Sequence, residues 1–499
     1  MTLTEALTRL DELEKKLLAY HHALGVLYYD GETVAPRNSA AARGETLALL
    51  GGVEHALMTA PETRELIGVI LDNRGALDRK TVRRAEVLKE GVDELCLVPA
   101  DEYMAYQQLL AESGAAWHAA KPASDFASFA PYLERIIDYN RRLAQRKDAS
   151  KPAYDVLLGT YEKGASMAML EPFFARLRSA LTPVVLAVGE KPKPDAPFMH
   201  AVYPAHEQRR FTDRLMALMG IDRADCAVGE TEHPFTDGYG KHDVRITTHY
   251  YEENVTYSMY SVIHEGGHAL YELGVDDDLQ GTLLAAGTSM GIHESQSRFY
   301  ENLIGRSLPF CQALLPILRE IFPAQTQGLD ADTLYRMVNV AEPTLIRTEA
   351  DELTYPMHVM VRYELEKRLF AGDLKVADIP AAWNDMYREY LGIEVPDDRR
   401  GCLQDSHWSG GLLGYFPSYA LGSAYGAQML AAMERDADIW SAVARGDLSP
   451  VTGWLREKIH RFGSLYTPAE AFESACGAAF DPKFYTDYLT KKYSALYAL

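Results

Sequence analysis

The stretch VIHEGGHALYELG, residues 262–274, sets two histidines four apart, places a glutamate directly after the first and spends two glycines inside a helical pattern. A helix advances about 100° and 1.5 Å per residue, so His264 and His268 leave one face about a turn apart. Two imidazoles so placed converge on one tetrahedral ion at about 2.0–2.1 Å from each nitrogen. Glu265 points to the adjacent face, close to the ion without binding it, where it can take a proton from water. Gly266 and Gly267 each cost roughly 1 kcal/mol against alanine in a helix interior. That loss makes sense where the backbone must come close to a neighbouring segment or a substrate. The bland alternative, two hydrogen-bonded histidines on an ordinary helix face, gives the glycines no purpose.

A catalytic zinc-type site needs a third protein ligand and one open position. The metzincin arrangement would require a glycine three residues and a histidine six residues past the second histidine. Tyr271 and Gly274 occupy those places. The other solution is a glutamate on a following helix, and GIHESQSRFYENL, residues 291–303, offers Glu294. The gap after His268 leaves room for a loop and an antiparallel return helix. Glu301, two turns further on nearly the same face, is the competing ligand or a partner to a ligating histidine. His293 points elsewhere and reads as a packed or hydrogen-bonding residue.

Around this motif, helical periodicity dominates. Leu3, Leu7, Leu10, Leu13 and Leu17 form one apolar stripe on an opening helix. Ser449-Pro450 opens a helix with apolar face Val451, Trp454, Leu455, Ile459 and Phe462 that Gly463 ends, and Thr467 and Glu470 stand at capping-box spacing. Strand character is sparse and best in HDVRITTHYY, residues 242–251, where Val244 and Ile246 alternate with Arg245 and Thr247. The proline-rich EKPKPDAPF, residues 190–198, reads as a loop between a helical N-terminal half, 1–189, and a half carrying the metal motifs, 190–499, of one elongated helical domain. The expected fold is mainly α with one small sheet near the middle.

Composition narrows the function classes. Of the 499 residues, 47% are apolar and 24% charged, which fits a folded soluble protein. A formal charge of −21 argues against nucleic acid or an anionic membrane as partner, since both select basic faces. Five scattered cysteines, Cys96, Cys226, Cys311, Cys402 and Cys476, form no CxxC pair and fit reduced thiols. The opening MTLTEALTRLDELEKKLLAY lacks the basic start and apolar core of a secretion signal, and no stretch approaches a membrane span. The expected location is the cytoplasm.

Five stretches together carry a more specific signal: HPF at 233–235, HEGGH at 264–268, GIHESQSR at 291–298, LIRTEADELTY at 345–355, and GCLQDSHW at 401–408 continuing into GYFPSYALG at 414–422. In order and spacing they resemble the carboxypeptidase Taq family of metal-dependent carboxypeptidases, and YYDGETVAPRNSAAAR from residue 28 resembles its N-terminal region. Tyr29 stands where tryptophan is expected, and Phe299-Tyr300 where an aromatic-tryptophan pair is usual. Both departures lie outside the metal-binding motifs. The resemblance implies that His264, His268 and Glu294 bind one divalent ion per chain, Zn2+ or Co2+, with Glu265 as general base. It also implies a helical, saddle-like fold with a deep groove, similar to neurolysin and angiotensin-converting enzyme. A homodimer removing single C-terminal residues from peptides with broad tolerance is expected as well.

Two further tasks follow from that chemistry. Charge developing on the scissile carbonyl oxygen needs a donor, and the related helical peptidases use a histidine and a tyrosine from a glycine-rich segment. His407, Tyr419 and Tyr415 are the candidates here. A free C-terminal carboxylate suits the planar fork of arginine. Arg347 is the first choice, although Glu349 or Asp351 could tie it into a structural ion pair. Arg400, with Arg399, could close the blind end of a groove, Arg245 is a weaker candidate, and His233 of HPF is expected to line the site. The strand through Arg245 could pair with an extended peptide by backbone hydrogen bonds. The rival is an oligoendopeptidase or dipeptidase on the same scaffold, with the same chemistry and no demand for a free C-terminus.

Overall fold

Thr2 starts the first helix, Leu3–Thr33: its hydroxyl accepts from the Glu5 amide while Glu5 accepts the Thr2 N–H at 2.7 Å. Leu10, Leu13 and Leu17 of the expected stripe are buried against Ile67, Ile70, Leu88 and Val92, from helices Pro61–Asp72 and Arg79–Leu95. Leu3 and Leu7 pack at the margin of that cluster. The computed structural model describes residues 1–193 and 196–499. Pro194 and Asp195, in the expected proline-rich loop, lie outside them. Most described residues are helical, and the strands among them are β1 (Cys226–Glu230), β2 (Thr236–Gly238) and β3 (Val244–Thr248).

The chain divides into two units, each assembled from three separate segments. One comprises Met1–Cys96, Ala196–Tyr335 and Ala432–Ala479; the other comprises Leu97–Asp195, Arg336–Ala431 and Phe480–Leu499. The first unit holds the sheet, in the order β1-β3-β2, with β1 parallel and β2 antiparallel to β3. The expected strand is therefore real but central. Val244 pairs with Cys226 on one side and Gly238 on the other. Its backbone groups are already used, so a peptide cannot add to it as a strand, and the expectation that Arg245–Thr247 binds substrate by β-pairing is corrected.

The HEGGH segment lies on a helix spanning Val255–Gly274, capped where Asn254 accepts the Tyr257 amide at 3.2 Å. Buried residues occur on almost every face of this helix, the mark of an element surrounded by protein. The return helix, Met290–Arg298, is capped by Ser289 and runs directly into a π-helical turn, Phe299–Ile304. Later in the chain the expected helix from Ser449 stops at Lys458. A 3-10 turn, His460–Phe462, follows, with His460 buried and bonded to Gln296.

In the second unit, helix Met167–Gly189 buries Leu170, Phe173, Phe174, Leu177 and Leu181 at helical spacing. Helix Tyr355–Ala371 is buried almost throughout, carries Arg362 and Glu366 inward, and stops where Gly372 adopts a left-handed φ of 84°. Among the described residues no helix is long and apolar enough to cross a membrane.

Candidate active site

The two glycines of the motif helix face close neighbours. A side-chain carbon on Gly267 would sit 2.5 Å from the Gln296 carbonyl oxygen and 2.7 Å from the Ser297 Cα, both on the return helix. On Gly266 it would meet Met219 and Ile221. Gly267 thus lets the two helix backbones approach closely enough for their side chains to meet. His264 Nε2 then lies 3.6 Å, and His268 Nε2 3.4 Å, from Glu294 Oε2.

Those distances test whether an ion fits. Ligands bound tetrahedrally at zinc-type bond lengths lie about 3.3 Å apart. The three donor atoms here all lie within 4.8 Å of one another, in a part-buried site. Two imidazoles and one carboxylate are a borderline donor set suited to such an ion. Among the described residues no fourth protein ligand joins the group, which leaves coordination open, as a catalytic site requires. The residues fit a divalent ion.

The charges around the trio are arranged to match. Burial pushes Glu294 up, but Arg298 and the two histidines outweigh it and hold the carboxyl well below its usual range. Arg298 donates to Glu294 Oε1 at 2.8 Å, so Oε2 is the oxygen left facing the histidines. Burial drives His268 down to about 3 and keeps it neutral. For His264, burial works the same way, yet Glu294 and Glu301 bring its value above the ordinary one. Glu301 does not share the trio's oxygen. Its Oε2 accepts from His264 Nδ1 at 2.8 Å and from Arg298 at 3.1 Å. The π-helical turn that carries it winds more slowly than an α-helix and presents it to the outer nitrogen of the imidazole.

Glu265 is buried beside the trio, and burial raises its pKa. Thr236 of β2 donates to its Oε2 at 2.6 Å and to its backbone carbonyl at 3.1 Å. Sequence reasoning missed Thr236, because nothing local predicts that a short edge strand meets this helix. Arg298 had a signal in its i, i+4 spacing from Glu294. His233 is exposed, and Phe235 of the same HPF pairs with Thr247 through backbone groups. Arg245 is engaged by Asp243 at 2.8 and 2.9 Å and stacks between Tyr29 and Tyr239.

The remaining candidates belong to the second unit. Arg347 is buried, but its carboxylate partner is neither Glu349 nor Asp351. Its Nε and one Nη donate to Asp405, at 3.1 and 2.9 Å, and the other Nη to Tyr355 at 3.0 Å. Arg362, fully buried, binds the opposite oxygen of Asp405 and also Gln404. Burial alone would raise Asp405; the two guanidiniums hold it far below its usual range. His407 follows two residues later, kept neutral by burial at about 4, with Nε2 at 3.5 Å from the Tyr419 hydroxyl. Tyr415 and Tyr419 meet edge to face at 5.2 Å. The loop is tied from behind by Glu366, which accepts from Trp408 Nε1 at 2.7 Å, the Gly414 amide at 2.7 Å and Tyr154 at 3.0 Å. Arg400 is exposed, paired with Asp397, and lines a cavity of about 530 Å³ with Lys121, Arg399 and Glu349.

An HExxH helix, a glutamate from the next helix and an otherwise helical chain define the class: a metallopeptidase. Residues 9–493 match the family profile described as carboxypeptidase Taq (M32) metallopeptidase, and the chain belongs to that family. It is 38% identical to carboxypeptidase 1 of Bacillus subtilis over 490 residues, 98% of each chain. It is 36% identical to thermostable carboxypeptidase 1 of Thermus thermophilus over the whole of both chains. The crystal structure of the M32 carboxypeptidase from Deinococcus radiodurans superposes with a TM-score of 0.96 at 36% identity, covering 99% of this chain and 100% of that one. The chain is thus a metal-dependent carboxypeptidase, a hydrolase acting on peptides, and the endopeptidase reading gives way.

Proposed function

We propose that His264, His268 and Glu294 hold one zinc ion, with cobalt as an effective substitute, and that Glu265 is the general base for removal of single C-terminal residues. The observation that carries this is the convergence of both Nε2 atoms on Glu294 Oε2, at 3.6 and 3.4 Å, with a buried carboxylate one residue from the first histidine. When bound, such an ion acidifies water toward neutrality and polarises the scissile carbonyl.

The chain's own groups supply the rest. Glu265 accepts the proton of the attacking water and passes it to the leaving amine. Thr236, through its 2.6 Å hydrogen bond, keeps the other carboxylate oxygen turned toward β2 and limits rotation of the base. Glu301 accepts the Nδ1 proton of His264 and fixes the tautomer with Nε2 bare. Tyr419 and His407, with Tyr415 against them, are the groups proposed to donate to the carbonyl oxygen. Arg347 spends two N–H groups on Asp405 and one on Tyr355, and its remaining N–H groups are proposed to hold the substrate carboxylate. Arg400 supports a second reading of that task, since it shares a cavity with two further cations, Lys121 and Arg399. His233 and Arg245 have the weaker support, one exposed and the other already paired.

We also infer one catalytic domain from residues 1–499, working as a homodimer in the cytoplasm; five scattered cysteines with no CxxC pair suit a reducing compartment. Glu265→Gln is expected to lower kcat by about 10²–10⁴-fold while metal content, by elemental analysis, stays at the wild-type level. Loss of the ion in that variant would reassign Glu265. Peptides with a free C-terminus should be cleaved and their amidated twins spared. Arg347→Ala should erase that preference, and if Arg400→Ala erases it instead, the carboxylate is held in the cavity.

A further inference from the structure

One histidine of the GIHES motif has no place in the chemistry above. His293 Nδ1 lies 2.6 Å from His268 Nδ1, and its Nε2 lies 2.7 Å from Glu272 Oε1. The hydrogens of this chain follow from its far end when each ring carries one N–H. The Glu272 carboxylate only accepts, so His293 Nε2 carries a proton. With its one N–H on Nε2, the His293 ring has a bare Nδ1, which accepts from His268 Nδ1–H. His268 in turn is left with its lone pair on Nε2, the nitrogen aimed at Glu294 Oε2.

The geometry points to His293 and Glu272 as a two-residue relay that sets the tautomer and orientation of His268 as a metal ligand. The inference rests on the reading of His268 as a ligand. It mirrors the single bond from Glu301 to His264, with an imidazole inserted between ligand and carboxylate. Two features show that room is kept for it. A side-chain carbon on Gly287 would collide with the His293 ring, and one on Gly238 of β2 would lie 2.9 Å from Glu272 Cγ. Tyr271 flanks the His293 ring at 5.1 Å between centroids and limits its swing.

The test is the dissociation constant of Zn2+ from the full-length protein, by chelator competition, with the visible spectrum of the Co2+ form as a second readout. Loss of a partner to a ligating histidine typically costs about 10- to 100-fold in metal affinity. His293→Phe should show that loss and an altered cobalt spectrum. His293→Asn keeps an acceptor near the Nδ1 position and should recover part of it. Glu272→Gln, which keeps the shape and removes the charge, should weaken binding less than His293→Phe, and it carries the test should that variant not fold in its metal-free form. Wild-type affinity and spectrum in both His293→Phe and Glu272→Gln overturn the relay, as does a His293→Asn variant no better than His293→Phe. His268→Ala separates the ligand from its relay. If it binds the ion like wild type, the ligand assignment fails and the relay with it. If it loses the ion while the relay variants do not, the relay alone fails.

Discussion

The metal centre and the loop at 401–416 are built in opposite ways. The centre comes from two helices that follow each other closely in the chain, and its arginine pairs are local: Arg298 reaches Glu294 one turn back and Glu301 one turn on. The loop is held by partners far away in sequence. Asp405 is gripped by Arg347, 58 residues earlier, and by Arg362, 43 residues earlier, while Glu366 reaches Trp408 across 42 residues. Helix geometry positions the first set. Burial and long-range charge position the second. Two adjacent helices bring a ligand set together from a short length of chain, whereas a loop gains rigidity only from the core it is anchored to.

Breaking the second region at its charge node should have the largest effect on stability. Asp405→Ala leaves two buried guanidiniums uncompensated, and removing one partner of a buried pair costs about 3–5 kcal/mol. Urea unfolding should show that loss, while the folded variant still binds one ion. A variant that loses its ion first would mean the two regions are not separately built.

The next effect appears as pH dependence. Burial lifts Glu366 from its ordinary 4.5 to about 7, against the pull of its three donors. A raised carboxyl pKa stabilises the folded state below the unfolded value and loses that contribution as pH rises through the folded one. The contribution of this group should therefore fall between pH 5 and 8, by on the order of 3 kcal/mol, against the opposite slope of the buried neutral His268 and His407, and the difference between the wild-type and Glu366→Gln profiles should show it. Asp405, held below its usual range, acts with the opposite sign and only in acid. An equal slope in wild type and Glu366→Gln would remove Glu366 as the cause.

The smallest effect belongs to the metal centre. Gly267→Ala inserts a carbon against the backbone of the return helix. Overpacking of this kind costs about 1–3 kcal/mol, and pushing the helices apart should weaken Zn2+ binding as well. Unchanged affinity in chelator competition would show that the helix spacing does not set the ligand distances.

Residue spacing alone sets the helix periods, and with them which side chains share a face. His264, His268 and Glu265 follow from the 100° step, and Glu294 from the space that a return helix needs. The same step made Glu301 ambiguous, because a π-helical turn leaves no local mark in composition. The edges of β3 and the role of His293 were not legible either. A strand pattern says nothing about its neighbours, and a histidine beside a ligand says nothing about where its second nitrogen points. Arg347 stood out in the sequence as a candidate for a carboxylate, whether of the substrate or of Glu349 or Asp351, but Asp405 did not, since it comes from another loop. Side-chain direction along one helix is a property of covalent geometry; which distant groups meet is decided only when burial removes water and forces each charge to find a protein partner.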